Sequence, residues 1–208
     1  MPPLGLPGIL QTPEGACALV LFAHGSGSSR LSPRNRAVSE GLSAKGISTL
    51  LFDLLTAEEE AQRANVFDIP LLAERVIAAI DWASQEPQTK DLHLGLFGAS
   101  TGAAAALVAA ERRGDHVRAI VSRGGRPDLA GGVLDRIHIP TLLIVGGIDY
   151  GVIELNEQAF ARLRGLKALE IVPGASHLFP EPGALEAVIG HAARWFKRYL
   201  ASGSARQP

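Results

Sequence analysis

The most constraining feature of this sequence is the alternation of short apolar runs with segments of helical periodicity. The apolar runs are bounded by glycine or polar residues, and they predict buried strands because parallel strands covered on both faces are almost continuously apolar. They occupy residues 18–23, 48–54, 92–97, 118–122, 141–145 and 169–172. A further edge strand is predicted over residues 8–11, where prolines flank a short segment.

Helical periodicity fills most of the intervening segments. Apolar residues recur at helical spacing over residues 33–45, 70–84, 101–113, 154–164 and 183–200. Alternating strands and helices predict a doubly wound α/β fold, with a mostly parallel sheet and helices on both faces. We expect one domain over residues 1–208, in which residues 1–16 form an edge segment and residues 201–208 a fraying tail.

Composition narrows the classes of partner. The 208 residues include 20 basic and 21 acidic side chains, and the formal charge of -1 gives no field to attract nucleic acid or an anionic membrane. The single cysteine, Cys17, lies in an apolar run, so it is predicted to be a core residue that forms no intrachain disulfide. The N-terminus has no basic region before a long apolar stretch, and no window suits a membrane span. We therefore expect a cytoplasmic protein with a small-molecule partner.

One segment carries a pattern for nucleophilic catalysis. The run 92–97 leads into Gly98-Ala99-Ser100-Thr101-Gly102, which matches G-x-S-x-G between a predicted strand and a predicted helix. The two glycines let strand and helix approach closely enough to hold Ser100 on a strained turn with its hydroxyl exposed. The helix N-terminus favours developing negative charge. The same pattern also suits a glycine-rich turn that only packs.

Two further side chains favour catalysis over packing. Asp149 follows the apolar run 141–145, and His177 follows the run 169–172. Because the C-terminal ends of parallel strands share one edge of a sheet, Ser100, Asp149 and His177 are predicted to converge there. His177 would accept the proton of the Ser100 hydroxyl, while Asp149 would fix the ring tautomer and stabilise the imidazolium. The chain order Ser, Asp, His is that of α/β-hydrolases.

With these motifs, the chain resembles the α/β-hydrolase superfamily over nearly its whole length, and in particular the compact dienelactone-hydrolase-like branch of small serine hydrolases. The resemblance extends to residues 22–35 and 122–130. It implies relatives that occur alone and relatives fused to phosphoribosyltransferases. Dienelactone hydrolases have cysteine at the elbow, whereas this chain has Ser100. That departure argues against dienelactone as the substrate and leaves ester, thioester or amide cleavage open.

The resemblance also implies an oxyanion hole. The loop over residues 24–27 stands where related hydrolases place one half of that hole, so the backbone amides of Ser26 and Thr101 are the predicted donors. The alternative is a turn that serves packing alone. His24 is predicted to orient this loop by hydrogen bonding. The short connection between residues 122 and 141 leaves no room for a large lid, and it predicts a shallow, open pocket.

Several arginines lie in loops after predicted strands. Arg30 and Arg123, together with Arg34 and Arg126, are candidates to bind an anionic acyl or phosphate group. The alternative is that they are solvated or paired with acids such as Asp128. The histidines outside the site have no partners at metal-ligand spacing, so no metal is predicted.

The sequence therefore predicts a serine hydrolase that forms an acyl-enzyme on Ser100, takes a small-molecule acyl substrate and needs no cofactor. Two alternatives stay open. One is a non-catalytic α/β-hydrolase-fold module that binds a ligand or regulates a phosphoribosyltransferase. The other is cleavage of a phosphate ester.

Overall fold

Seven strands form one sheet in the computed structural model, which describes residues 5–201. Their order across the sheet is β1-β3-β2-β4-β5-β6-β7. The strands are β1 (Gly8–Gln11), β2 (Ala18–Ala23), β3 (Ser48–Phe52), β4 (His93–Ala99), β5 (Val117–Arg123), β6 (Thr141–Gly146) and β7 (Lys167–Val172). β1 pairs with β3 in the antiparallel sense, and the other neighbouring pairs are parallel.

Helices connect the parallel strands, and several begin at side-chain caps. The helices are α1 (Pro33–Ser43), α2 (Ala57–Glu60), α3 (Ile69–Ala83), α4 (Thr101–Arg112), α5 (Tyr150–Arg162) and α6 (Ala184–Leu200), with 3₁₀ turns at Asn65–Phe67 and Pro127–Arg136. Ser32 and Asp68 accept backbone N–H groups at the starts of α1 and α3, and Thr56 forms a capping box at α2. Within residues 5–201, no helix is both long and apolar enough to cross a membrane.

The sheet separates two apolar cores. On one face, α3, α4 and α5 pack against strand residues that include Leu21 and Leu96. On the other face, α1 and α6 pack against residues that include Phe22, Phe97 and Val121. Successive residues of a strand point to opposite faces, so the central strands supply both cores. The predicted doubly wound sheet with helices on both faces is confirmed.

Two sequence predictions about burial are wrong. Cys17 precedes β2 and is exposed, because the strand begins only at the following residue. β7 was predicted to be a buried strand, but it is the last strand of the sheet and most of its residues are only half-buried. A strand with one neighbour lacks cover along its outer side, which an apolar run does not reveal. Of the predicted tail, residues 202–208 lie outside the described residues.

The parallel arrangement brings several loops to one edge of the sheet. β2, β4, β5, β6 and β7 all end at this C-terminal edge. The loops that follow them carry Ser26, Ser100, Gly124, Asp149 and His177 respectively. The fold therefore assembles its polar loop residues at the edge where ligands bind in open α/β sheets.

Candidate active site

Ser100 stands on a sharp turn between β4 and α4. Its φ of 50° and ψ of -124° lie in a region that residues other than glycine rarely adopt, at a cost of about 1–3 kcal/mol. Backbone hydrogen bonds hold the turn: Ser100 N–H donates to the Arg123 carbonyl at 3.4 Å, and Arg126 N–H donates to the Ser100 carbonyl at 3.0 Å. Ser100 therefore has the strained turn that the sequence predicts.

The two glycines of the pattern leave the space that this turn needs. A Cβ atom on Gly98 would lie 2.4 Å from the Ala103 Cα, and one on Gly102 would lie 2.1 Å from the carbonyl oxygen of Ala23. Both distances are far inside van der Waals contact. The close packing of α4 against β4 and β2 therefore depends on the absence of side chains at these positions.

Asp149 and His177 meet across the ends of β6 and β7. The Nδ1 atom of His177 lies 2.7 Å from Oδ2 of Asp149. Because a carboxylate only accepts hydrogen bonds, Nδ1 carries the proton and Nε2 is left as the basic nitrogen. The side chain of His177 is 37% exposed and that of Asp149 is 16% exposed, so the acid is sheltered while the imidazole stays accessible.

The loop after β5 joins the two halves of the site. A Cβ atom on Gly124 would lie 2.8 Å from the carbonyl oxygen of His177 and 3.6 Å from its ring Cε1. The backbone carbonyl of the preceding residue, Arg123, accepts a hydrogen bond from the Ser100 N–H. In the described chain the Ser100 hydroxyl makes no direct hydrogen bond to the His177 ring; catalytic hydrogen bonds often tighten only when substrate binds. Ser100 and the His177–Asp149 pair thus flank a single turn of backbone.

The loop after β2 packs directly against Ser100. A Cβ atom on Gly25 would lie 2.8 Å from the Ser100 Cβ, so glycine is needed for this approach. The Ser26 N–H, one of the two predicted oxyanion donors, donates to the Thr101 hydroxyl at 3.1 Å. Thr101 begins α4, so its own N–H belongs to a helical turn whose N–H groups lack intrahelical acceptors. The predicted donors are therefore adjacent, and a side chain that sequence reasoning missed connects them.

His24 fastens this loop to the segment after β3. Its Nδ1 donates to the Gly25 carbonyl at 3.0 Å, and its Nε2 accepts the Leu54 N–H at 3.1 Å. The contact with the Leu54 N–H requires the neutral ring with its proton on Nδ1, because a protonated Nε2 cannot accept a hydrogen bond. Burial lowers the pKa of His24, and this effect outweighs the hydrogen bond to Gly25 and the nearby carboxylates of Asp53 and Glu60, which act to raise the pKa. These contacts agree with the predicted loop-orienting role.

Protonation of His24 is expected to destabilise the fold. Below about pH 6.5 the unfolded chain takes up a proton that the folded chain, with its lowered His24 pKa, does not, so stability falls as the pH drops through this range. His24→Gln keeps an acceptor but cannot titrate. It is expected to cost about 1–3 kcal/mol near pH 8 and to show a smaller loss between about pH 8 and 5.5 than the parent in urea unfolding. Equal losses in the two proteins would contradict this role for His24.

The structure separates the four candidate arginines into two groups. Arg30 forms an ion pair with Asp53, which also accepts the Arg30 N–H, and Arg126 forms an ion pair with Asp128. Arg34 and Arg123 have no such carboxylate partner among residues 5–201. Arg30 and Arg123 were both predicted to bind an anionic group. The charge of Arg30 is balanced by Asp53, whereas no carboxylate within residues 5–201 balances that of Arg123.

A shallow pocket and a set of exposed apolar side chains border the site. The pocket is partly open to solvent and lies between residues 24–29 and apolar side chains that include Leu54, Leu55 and Val66. Eight large apolar side chains are exposed within residues 5–201, and six of them lie in or beside loops at the C-terminal edge. These six, the apolar rim, are Leu31, Phe67, Leu129, Ile148, Tyr150 and Leu178. Sequence analysis missed the rim because isolated apolar residues in loops give no periodic signal.

The site shows no clustering of the side chains that usually bind metals. Among the residues that the structure describes, no group of three histidine, cysteine, aspartate or glutamate side chains is arranged to hold an ion. The side chains of Ser100, His177 and Asp149 are of the types that support nucleophilic attack and proton transfer.

Together, the parallel sheet, the serine on a strained strand-to-helix turn and the histidine–aspartate pair on the last two strand ends define the α/β-hydrolase class of protein. Residues 16–183 match the α/β-hydrolase domain family, and the chain belongs to that family. The predicted family resemblance is confirmed.

Two solved structures and a curated relative are similar to this chain. A dienelactone hydrolase from Anabaena variabilis is 56% identical, with a TM-score of 0.92 over 94% of this chain and 93% of that chain. Est1E from Butyrivibrio proteoclasticus shares the fold at 16% identity, with a TM-score of 0.78 over 92% of this chain and 93% of that chain. A putative phosphoribosyl transferase of Mycobacterium tuberculosis is 57% identical over 198 residues, which cover 95% of this chain but only 45% of the relative. The chain thus spans less than half the length of this curated relative.

Proposed function

We propose that this chain is a serine hydrolase that cleaves a carboxylic ester, with Ser100 as nucleophile, His177 as general base and Asp149 as the residue that orients the imidazole. The observation that carries the proposal is the 2.7 Å hydrogen bond between His177 Nδ1 and Asp149 Oδ2, at the sheet edge that also holds the strained Ser100 turn. Membership of the α/β-hydrolase domain family supports hydrolysis as the class of reaction. Thioesters and amides follow the same chemistry.

The reaction proceeds in two stages. In the first, Ser100 Oγ attacks the acyl carbon while its proton passes to His177 Nε2, and Asp149 stabilises the imidazolium that forms. The imidazolium then donates this proton to the departing alkoxide, which leaves an ester between the acyl group and Ser100. In the second stage, Nε2 takes a proton from water, the hydroxide attacks the acyl carbon, and the proton returns to Ser100 Oγ as the acid departs.

The oxyanion of each tetrahedral intermediate is proposed to lie against the N–H groups of Ser26 and Thr101. A single donor of this kind contributes roughly 3 kcal/mol to transition-state stabilisation. Because the Ser26 N–H donates to the Thr101 hydroxyl, the oxyanion must replace that hydroxyl as acceptor. The Ser26 N–H keeps one acceptor throughout, because the oxyanion takes the place of the Thr101 hydroxyl. That hydroxyl can then itself donate to the oxyanion.

The apolar rim and the pocket beside residues 24–29 support an acyl compound with apolar parts as the substrate. Exposed apolar side chains on the edge of the sheet that carries the candidate site favour contact with an apolar group. The short connection 124–140, with its 3₁₀ turn, leaves this surface open. Extended acyl chains would thus gain contacts with the rim without any rearrangement of the fold.

Labelling with a fluorophosphonate probe tests the proposal. The probe forms a covalent bond with an activated serine, so peptide mass spectrometry is expected to find one label per chain, on Ser100. Ser26, Ser28 and Ser29, in the neighbouring loop, provide internal controls and should stay unlabelled. The rate of hydrolysis of p-nitrophenyl esters of increasing chain length should fall in proportion to the fraction of protein that is labelled. A label elsewhere, or none on the folded protein, would refute the proposal.

A second function is favoured by the length of the M. tuberculosis relative. Because this chain matches 45% of a putative phosphoribosyl transferase, it corresponds to a portion of a longer protein there, and the apolar rim would then be a contact surface for a transferase. Tight association with such a transferase, without probe labelling or ester turnover, would support this alternative. Labelling of Ser100 would favour the hydrolase.

A further inference from the structure

We infer that Arg34 and Arg123 form an anion-binding subsite beside Ser100, and that this subsite receives a carboxylate on the acyl group of the substrate. The inference rests on the proposed function for its catalytic part, since the acyl group is defined by its bond to Ser100. The binding of the anion itself is independent of turnover. Arg34 lies in the first turn of α1, and Arg123 is the last residue of β5.

Arg123 is a buried cation whose side chain has no polar partner within residues 5–201. Its exposed fraction is 7%, and its Nη1 has no hydrogen-bond partner among the described residues. The guanidinium lies 5.8 Å from the centroid of the Phe97 ring, which offers a cation–π contact but accepts no conventional hydrogen bond. Burial, followed by the charge of Arg34, lowers the pKa of Arg123 to about 10, so the group stays charged at neutral pH. A buried charge of this kind is costly unless a counter-ion binds.

Arg34 brings a second positive charge to the same place. It is close enough to Arg123 to lower the pKa of that residue, and its own Nε is buried without a hydrogen-bond partner in the described chain. Arg34 belongs to the first turn of α1, an 11-residue helix whose N-terminus carries partial positive charge. Two guanidinium groups that interact electrostatically, each with a buried nitrogen that lacks a partner among the described residues, therefore favour an anion.

The other arginines show that this arrangement is specific. Nine arginines elsewhere in residues 5–201 form ion pairs with aspartate or glutamate, and the set comprises Arg30, Arg36, Arg75, Arg112, Arg113, Arg126, Arg136, Arg162 and Arg164. Glu181, in the His177 loop, takes a hydrogen bond from Ser176 and forms no ion pair with Arg34 or Arg123, while its Oε2 has no hydrogen-bond partner among the described residues. Arg123 differs from these nine because it combines an exposed fraction of only 7% with no ion pair within residues 5–201, and this combination points to an external anion.

The backbone at the end of β5 touches both halves of the candidate site. The carbonyl of Arg123 accepts the Ser100 N–H at 3.4 Å, and the next residue, Gly124, borders the His177 ring. An acyl group attached to Ser100 therefore passes close to the end of β5. A planar carboxylate on that group matches the fork of an arginine, which can donate two parallel hydrogen bonds to it.

A matched pair of esters tests the subsite. We expect kcat/KM for mono-p-nitrophenyl glutarate, after subtraction of the uncatalysed rate, to exceed that for p-nitrophenyl valerate, which has the same acyl length without the carboxylate. Arg123→Met and Arg34→Gln should each lower the ratio of the two constants by about 10- to 100-fold. Arg123→Lys, which keeps the charge but not the fork, should fall between. Arg118→Gln, on the same strand at its far end, is the control and should leave the ratio unchanged.

Binding provides a test that does not depend on turnover. Glutarate is expected to raise the Tm of the parent protein and of a Ser100→Ala variant, but not that of Arg123→Met, while glutaramide should have no effect. Arg123→Met should also raise the Tm in the absence of ligand, because it removes a buried charge that has no counter-ion. A raised Tm would also show that the variant folds.

The outcomes separate the two hypotheses. Stabilisation by glutarate without any ester turnover would support the anion subsite and refute the hydrolase. Turnover with an unchanged ester ratio in Arg123→Met, and no stabilisation by glutarate, would refute the subsite. Stabilisation by inorganic phosphate but not by glutarate would overturn the assignment to a carboxylate, and a preference for a carboxylated phenol over the glutarate ester would overturn its placement on the acyl group.

Discussion

Asp149→Asn is expected to lower kcat for ester hydrolysis by about 10⁴-fold and Ser100→Ala by about 10⁶-fold, with little change in the fold. In the parent, the Asp149 carboxylate accepts the Nδ1 proton of His177 at 2.7 Å, which leaves Nε2 free to act as a base. An asparagine amide can instead donate to Nδ1 and so hold the imidazole in the wrong tautomer. Ser100→Ala removes the nucleophile itself. Steady-state kinetics on one p-nitrophenyl ester measures both losses.

The design includes two controls. Asp128→Asn changes an acid at the same sheet edge that is paired with Arg126, and it should leave kcat within about threefold of the parent. The double variant Asp149→Asn, Ser100→Ala should be no slower than Ser100→Ala, because the two residues act as one unit. Independent, multiplicative losses would show that Asp149 and His177 do not serve Ser100.

Gly102→Ala is expected to destabilise the protein by about 3 kcal/mol or more and to displace the elbow. The added Cβ would lie 2.1 Å from the Ala23 carbonyl oxygen and 2.5 Å from that of His24, both of which are backbone atoms that cannot rotate away. α4 must therefore shift against β2, and the shift separates Ser100 from the loop that carries Ser26. Urea unfolding measures the loss of stability, and kcat should fall further than the folded fraction alone explains.

Gly151→Ala is the matched control for that substitution. Gly151 is the second residue of α5, as Gly102 is of α4, but a Cβ there meets no atom within 4 Å. Alanine has the better helix propensity, so this variant should be unchanged or more stable by up to about 1 kcal/mol. Equal destabilisation of the two variants would mean that helix position, not contact with β2, sets the effect.

Sequence patterns predicted the parts of the fold that depend on local chemistry. Apolar runs located β2 and the central strands, because full burial on two faces leaves no alternation. The same reasoning failed where burial depends on neighbours far along the chain. Cys17 and β7 appear buried in the sequence, yet one precedes its strand and the other has a single sheet partner.

The candidate site divides in the same way. The positions of Ser100, Asp149 and His177 followed from strand ends, since a parallel sheet places all such ends on one edge. Which arginine carries a free charge did not follow, because Arg30 meets Asp53 and Arg126 meets Asp128 only through the folded loops. The contact between Ser26 N–H and the Thr101 hydroxyl spans 75 residues, and no local pattern encodes it.

The short connection after β5 has a kinetic consequence. Between β5 and β6 the chain makes only a turn and the 3₁₀ segment Pro127–Arg136, so this connection supplies no large cover over Ser100. Many hydrolases spend part of each cycle opening such a cover to release product. If Ser100 forms the proposed acyl-enzyme, we therefore expect bond breaking, rather than the opening of a cover over this connection, to be the slow step of the cycle. Solvent also weakens the electrostatic contacts of exposed groups at the rim. We therefore expect substrate selectivity to depend mainly on the buried groups of the site.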